Sequence, residues 1–279
     1  MNQKIRKRLA IGAGFAAIIG AALFLAVAPT DRISAEGGQP DVVYWPTPQV
    51  VVDKMLETAR VTKNDLIYDL GCGPGRAALV LAGTLQQKVI AVDLQEEFLS
   101  QLRRNAAQMA LTDLIETRCA NMADLGDWDC RIDLIWSEGA IYCLGFDQAL
   151  RNWQPLLIDN GIVVCSELSW LNNTPAEEAV AFWRKSYPAM RSVAENLRAA
   201  KELGYACLDH FTVPSDCWWN EYYEPLLDNV RGLSAEADED EHLRAAIASA
   251  LAETELYRKH YLDYGYEFYL LQKSVGIKP

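Results

Sequence analysis

Ile67-Tyr68-Asp69-Leu70-Gly71-Cys72-Gly73-Pro74-Gly75-Arg76 is the stretch on which the reading of this chain turns. The apolar run from Leu66 to Leu70 reads as a buried strand. Glycine directly behind it lets the backbone turn sharply and leaves bare main chain for a ligand. The helix expected over 76–83 then presents unpaired N–H groups at its start. Glycine spacing narrows the ligand. A dinucleotide fingerprint takes glycine at its first, third and sixth positions, whereas here the glycines fall at the first, third and fifth and Arg76 fills the sixth. Nicotinamide and flavin binding are therefore disfavoured. Asp69 points the same way, because a carboxylate repels a pyrophosphate but suits a ligand that offers an ammonium group.

Outward from this turn, short apolar runs alternate with helical periods. Thr47 as a cap and Pro48 in the first turn start an amphipathic helix over 48–60, with Val51, Met55 and Ala59 on one face. Strands are predicted over 66–70, 88–92, 115–119, 131–136 and 161–166, with helices over 76–83, 96–109 and 147–157. Such alternation across short loops argues a parallel sheet covered by helices on both faces. Further on, Thr174 as cap, Pro175 in the first turn and Gly204 as stop mark a helical pair over 175–203. The acidic run Glu236, Asp238, Glu239, Asp240, Glu241 precedes a helix from about 241 to 260, whose start it stabilises. A last strand is read over 267–273.

Composition bounds the partners. Of 279 residues, 51% are hydrophobic and 23% charged, ordinary globular usage, but the net charge is −12. Residues 1–28 hold four basic residues (Lys4, Arg6, Lys7, Arg8) and no acid, so the rest of the chain sets 22 basic residues against 38 acids. A body so acidic is repelled by nucleic-acid phosphates, and no basic patch offsets it, so no nucleic-acid partner is expected. The seven cysteines include no Cys-x-x-Cys pair and the three histidines are scattered, so no metal site is expected either. Leu9 to Ala28 is an uncharged run that as a helix would reach roughly 30 Å, one hydrocarbon core. Residues 1–28 thus read as a membrane anchor or a signal. Ala26-Val27-Ala28 resembles a cleavage site, but Pro29 hinders cutting there, which favours the anchor. Residues 29–41 read as a linker and 42–279 as the folded domain.

DLGCGPGR from Asp69, AVDL from Ala91, ANMADLGDWD from Ala120 and IDLIWSEGAIY from Ile132 together resemble the class I S-adenosylmethionine-dependent methyltransferases. The resemblance runs from about Tyr44 to Lys273 with its motifs in order. It implies a Rossmann-like α/β fold: a doubly wound, mostly parallel seven-stranded sheet with added helices, including an insert at about 171–204. A single N-terminal hydrophobic helix would precede it. S-adenosylmethionine is the implied cofactor, held by Asp69, Gly71, Gly73 and Gly75 of the turn. Asp93, followed by Leu94, would take both ribose hydroxyls, each charged hydrogen bond contributing about 1.5 to 3 kcal/mol. Asn121 stands where the family usually has Asp and would accept from the adenine amino group, with Met122 along the ring. Ser137 would face the methionine end. The segment Pro40 to Pro48 is similar to the entrance of membrane-associated or exported methyltransferases, which makes Tyr44 and Thr47 contacts.

The segments around Trp136–Tyr142, Ser166–Trp170 and His210–Tyr223 resemble a small-molecule subgroup of the family. Glu138 and Glu167 follow neighbouring strands and, with Tyr142, Trp170, Trp218 and Tyr222 as an acceptor site, would suit an amine: acids attract a cation and rings offer their negative faces. His210 stands as a candidate base beside them. Plainer readings stay open, since Glu138 equally holds the cofactor loop, such aromatics equally build core, and a lone histidine is equally structural. The implied function is methyl transfer to a small-molecule acceptor. The alternatives are a membrane-tethered protein-lysine methyltransferase and a non-catalytic cofactor-binding module. Charge flanking the apolar run sends the domain out of the cytoplasm, whereas a cytosolic cofactor and unpaired cysteines favour keeping it inside, so the side is left open.

Overall fold

A computed structural model describes residues 49–125, 131–237 and 240–274. In chain order its main elements are α1 (Gln49–Ala59), β1 (Ile67–Leu70), α2 (Arg76–Leu85), β2 (Val89–Asp93), α3 (Glu96–Gln108), β3 (Ile115–Cys119), β4 (Ile132–Ser137), α4 (Phe146–Trp153), β5 (Leu157–Trp170), α5 (Glu177–Ser186), β6 (Arg191–Ser192), α6 (Val193–Glu202), β7 (Tyr205–Thr212), α7 (Ser215–Trp218), α8 (Glu224–Ala237), α9 (Glu241–His260) and β8 (Tyr264–Lys273). They group into two compact units. One contains the described residues within 49–169, 191–213 and 266–274, and the other those within 170–190 and 214–265.

The first unit is built on the sheet. Seven strands run in the order β3-β2-β1-β4-β5-β8-β7, and the two-residue β6 pairs with β5 off that path. The seven-stranded expectation thus holds for the continuous path, with one short strand added. β1 pairs in parallel with β2 and with β4, β2 with β3, and β4 with β5, while β7 and β8 are antiparallel. The strand order reverses at β1 and β4, and at such a reversal a crevice opens beyond the carboxyl ends of the strands.

β1 and β2 are buried on both faces, as helices on two sides require. On one face Met55, Leu79, Leu81 and Leu102 of α1, α2 and α3 pack with Ile67, Val89, Leu134 and Phe268. On the other, Leu150 and Trp153 of α4 and Ala200 of α6 pack with Tyr68, Ile90, Ile135 and Tyr269. This two-sided cover is the doubly wound arrangement read from the sequence.

Two local expectations are corrected. The helix expected to reach residue 157 stops at Trp153, and a 3-10 turn over Gln154–Leu156, with Pro155 in its first turn, leads straight into β5. Thr174 does not cap a helix: its N–H and hydroxyl both bond Asn172 Oδ1, and α5 begins behind Ala176 instead. Where one helical pair was read, α5 lies in the second unit and α6 in the first. Ser192 caps α6, accepting from Glu195 N while Glu195 reaches back to the Ser192 N–H.

The second unit has an aromatic centre. Trp183, Trp218, Tyr222, Tyr223, Tyr257 and Tyr264 are all buried. Their ring contacts include Trp218 to Tyr257 at 4.5 Å and Tyr223 to Tyr257 at 4.8 Å. Asp240 of the acidic run caps α9 by accepting from the N–H groups of His242 and Leu243. Among the described residues no helix is long and apolar enough to cross a membrane. Leu9 to Ala28, on which the anchor was read, lies outside them, so the expected N-terminal helix is not among the described elements.

Candidate active site

The turn after β1 is held by backbone before any ligand is considered. Gly71 N and Cys72 N both donate to Val92 O, at 2.9 and 3.0 Å, and Gly75 N donates to Cys72 O at 2.9 Å. Gly71, Gly73 and Gly75 all have left-handed φ, at +73°, +53° and +90°, which L side chains rarely adopt. Their surroundings differ. A methyl group at Gly71 would overlap Ala140, and one at Gly75 would overlap Leu102, whereas nothing lies within 4 Å of that position at Gly73. The two outer glycines serve close packing. The middle one faces open space.

Two carboxylates frame the turn. Asp93, at the end of β2, accepts from Gly73 N at 2.9 Å and from Gln95 N at 2.8 Å. The carboxylate has about four lone-pair sites, so at least one stays open to a further donor. Burial holds the Asp93 carboxyl above the usual range, against the pull of the Gln95, Gly73 and Leu94 N–H groups. Asp69 is buried within β1 and accepts from Ala78 N at 2.9 Å, which ties α2 to the strand. Burial pushes its pKa up to about 8; the Glu138 charge adds to the rise, the Ala78 bond opposes it, and Asp93 adds again. Asp69 is thus largely protonated at neutral pH when no cation lies beside it. Leu94, just past Asp93, is 65% exposed, an apolar side chain left at the rim of the turn.

Met122 and Ser137 reach this turn or the strand end before it, and Asn121 precedes Met122. Asn121 Oδ1 accepts from Ala123 N at 2.9 Å and shapes the turn in which it sits, so one of its lone pairs is already in use. Met122 lies beside Gly71, its sulfur 3.4 Å from the Cβ position there, and its carbonyl accepts from Trp153 Nε1. Ser137 is fully buried and donates to Leu70 O at 3.0 Å, joining β1 to β4. Tyr44 and Thr47 lie outside the described residues.

Glu138 reaches the site by strand register. Asp69 pairs with Trp136 across β1 and β4, and the Trp136 indole N–H lies 3.4 Å from Glu138 Oε2. Glu167 is buried on β5. Tyr142 sits in a 3-10 turn over Ile141–Cys143. Burial, then Cys143 and Glu167, push its phenol far above the usual value, so it stays protonated and can donate. The sequence reading passed over Cys143, an exposed thiol within electrostatic reach of both Asp93 and Glu167. No local motif marks it.

The remaining candidates lie on β7 and in the second unit. His210 lies on the edge strand β7, four strand positions from β1 or about 19 Å at the usual spacing, and two positions from β5, which carries Glu167. Its Nδ1 stands 2.6 Å from Glu267 Oε1, and Thr212 Oγ1 donates to the other oxygen at 2.6 Å. Trp218 and Tyr222 are 5% and 2% exposed and pack among the aromatic rings of the second unit. Trp170, half-buried, meets Tyr264 edge-on at 6.2 Å in that unit. Among the described residues no group of His, Cys, Asp or Glu is placed to hold a metal ion.

Residues 67–161 match the family model described as a methyltransferase domain. The chain is 38% identical over 74 residues to a protein-lysine N-methyltransferase of Saccharolobus islandicus (strain REY15A), covering 26% of this chain and 46% of that protein. It is 29% identical over 123 residues to a malonyl-acyl-carrier-protein O-methyltransferase of Marinomonas sp. (strain MWYL1), covering 43% and 44%. The chain therefore spans about half the length of the curated relatives it matches. In structure it resembles an S-adenosylmethionine-dependent methyltransferase from Geobacter sulfurreducens solved with S-adenosyl-L-homocysteine, at 18% identity and a TM-score of 0.71 over 90% of this chain and 96% of that one. Residues 67–161 thus match a methyltransferase-domain model, and the chain has the Rossmann-like fold of the methyltransferase structure it resembles.

Proposed function

We propose that the protein is an S-adenosylmethionine-dependent methyltransferase acting on a small-molecule acceptor. The observation that carries this reading is the turn after β1, where Gly73 alone of the three glycines faces open space, directly below the Asp93 carboxylate that its own N–H anchors. A cofactor of this kind fits those residues. Asp93 would take the ribose hydroxyls, the exposed face of Leu94 and Met122 would flank the adenine, and Asp69 with Glu138 would receive the ammonium end. When bound, the cofactor supplies a methyl group already activated on a sulfonium, so the chain has little covalent chemistry to perform. Its residues align the acceptor, exclude water and receive a proton where the acceptor carries one. Glu138, Glu167 and the donating Tyr142 hydroxyl are the groups available for that.

Calorimetry with S-adenosylhomocysteine tests cofactor binding, and Asp93→Ala is expected to abolish the heat without unfolding the protein. No heat from wild-type protein at millimolar ligand, with NADH binding instead, overturns the reading. Labelled donor incubated with a metabolite extract tests the acceptor. Label confined to protein bands would replace the small-molecule reading by the protein-lysine one, which the Saccharolobus relative favours. The segment Leu9–Ala28 we read as an anchor, on its length and the basic residues before it. Recovery of the full chain, with that segment attached, from the soluble fraction refutes the anchor. Protease outside sealed spheroplasts reports the side on which the domain lies.

A further inference from the structure

The loop that leaves β4 crosses the site between Glu138 and Ala140, and its path is fixed from outside that loop. β4 and β5 pair in parallel up to Ser137 and Cys165. One residue further on the ladder has ended, and the Gly139 N–H donates to the side chain of Ser166 at 2.8 Å. A hydroxyl oxygen on β5 thereby replaces the next backbone acceptor. Ser166 is buried, at 3% exposure, while Gly139 is exposed, so the bond ties an exposed loop to the buried end of β5. Gly139 has φ +61° with nothing within 4 Å of a Cβ position, so its backbone, and no side chain, occupies this point of the loop. Ala140, next along, presses onto Gly71 so closely that a methyl group at Gly71 would overlap it. On the other side of Gly139, Glu138 is held through Trp136 Nε1 and acts on the Asp69 carboxyl. Two contacts with the cofactor turn, Ala140 on Gly71 and Glu138 on Asp69, therefore hang on one short loop, and a side-chain hydroxyl on β5 pins the middle of that loop.

We propose that Ser166 is a positioning residue for the methyl-donor site: its hydroxyl, through the Gly139 N–H, sets Glu138 beside Asp69 and Ala140 against Gly71. The inference rests on the reading of the β1 turn as the cofactor site. Without the hydroxyl, a half-buried N–H loses its acceptor and the loop relaxes away from the turn. Glu138 then withdraws from Asp69, so two effects appear together. The ligand binds more weakly, and binding displaces fewer protons, because Asp69 is already more ionised before the ligand arrives.

The probe is S-adenosylhomocysteine, titrated by calorimetry into the full chain in two buffers of different ionisation enthalpy. Ser166→Ala is expected to weaken binding about tenfold and to reduce the protons released per ligand. Ser166→Cys, similar in size but with a poorer acceptor, is expected to fall between. Gly139→Ala, which disturbs the same loop by backbone strain alone, is expected to combine with Ser166→Ala less than multiplicatively. Wild-type affinity in Ser166→Ala, an unchanged proton count, or losses that multiply in the double variant overturn the proposal while leaving the cofactor site standing. No binding by the wild-type protein sinks the cofactor site itself, and this inference with it. Should Ser166→Ala not fold, Ser166→Cys and Gly139→Ala decide alone by the same two readouts.

Discussion

The three glycines of the β1 turn look alike in sequence and do different work. All carry left-handed φ, which an alanine adopts at a cost of about 1 kcal/mol or more. Gly75 also touches Leu102, so Gly75→Ala adds overlap in the core and is expected to lower the melting temperature by several degrees more than Gly73→Ala. Gly73→Ala should instead leave the fold near wild type and weaken S-adenosylhomocysteine binding sharply. Thermal melts paired with calorimetry separate the two, and equal melting temperatures would remove the distinction. Asp69 gives a second test. Its carboxyl, raised to about 8 by burial and by Glu138, is largely protonated before a cation arrives and ionised once one does. Binding of S-adenosylmethionine should therefore release a proton near neutral pH and strengthen as pH rises towards 8. A proton count of zero at pH 7, or affinity that falls over that range, contradicts it.

Elements were legible where their signals are local. Glycine spacing, the acid that ends β2 and alternation of apolar runs placed β1 to β4 and their helices within a few residues, because turn chemistry and periodicity act over short spans. β5 was cut short, since Leu157 to Asn160 carries no strand pattern and takes its place from pairing. The aromatic run 218–223 carries no sequence signal for its surroundings, because neighbours decide whether a ring lines a cleft or fills a core, and two of those neighbours, Tyr257 and Tyr264, are distant in sequence. Strand order is likewise invisible along the chain, and it sets His210 on the edge strand, four positions from β1. One local signal was present and unread, the Ser192-x-x-Glu195 capping box of α6. Ser192→Ala removes the acceptor of the Glu195 N–H and is expected to destabilise the protein by about 1 kcal/mol. Denaturant melts check this, and an unchanged midpoint would show that packing of α6 makes the cap redundant.

Stability of the whole molecule against pH is set in part by acids that the site does not use. Glu253 on α9 is buried in the second unit's core, where Tyr223 OH donates to Oε1 at 3.3 Å and Oε2 has no hydrogen-bond partner. Burial raises its pKa to about 8, against the pull of the Tyr223 and Tyr222 hydroxyls, while an unfolded glutamate titrates near 4.5. Since the folded value lies above the unfolded one, its contribution is fully present below about pH 4.5 and is lost as pH rises through about 8. Asp69 in the first unit titrates in the same window, so alkaline destabilisation of the free protein is the joint effect of both. A ligand separates them. Saturating S-adenosylmethionine favours ionised Asp69 and removes its share, but leaves that of Glu253 untouched. Glu253→Gln keeps an acceptor for the tyrosine hydroxyls and carries no charge at any pH. It is expected to raise the melting temperature at pH 9 relative to wild type and to change it little at pH 5, with ligand or without. Melts of both proteins across that range measure it, and a stabilisation that is equal at the two pH values would mean that Glu253 acts through packing rather than through its proton.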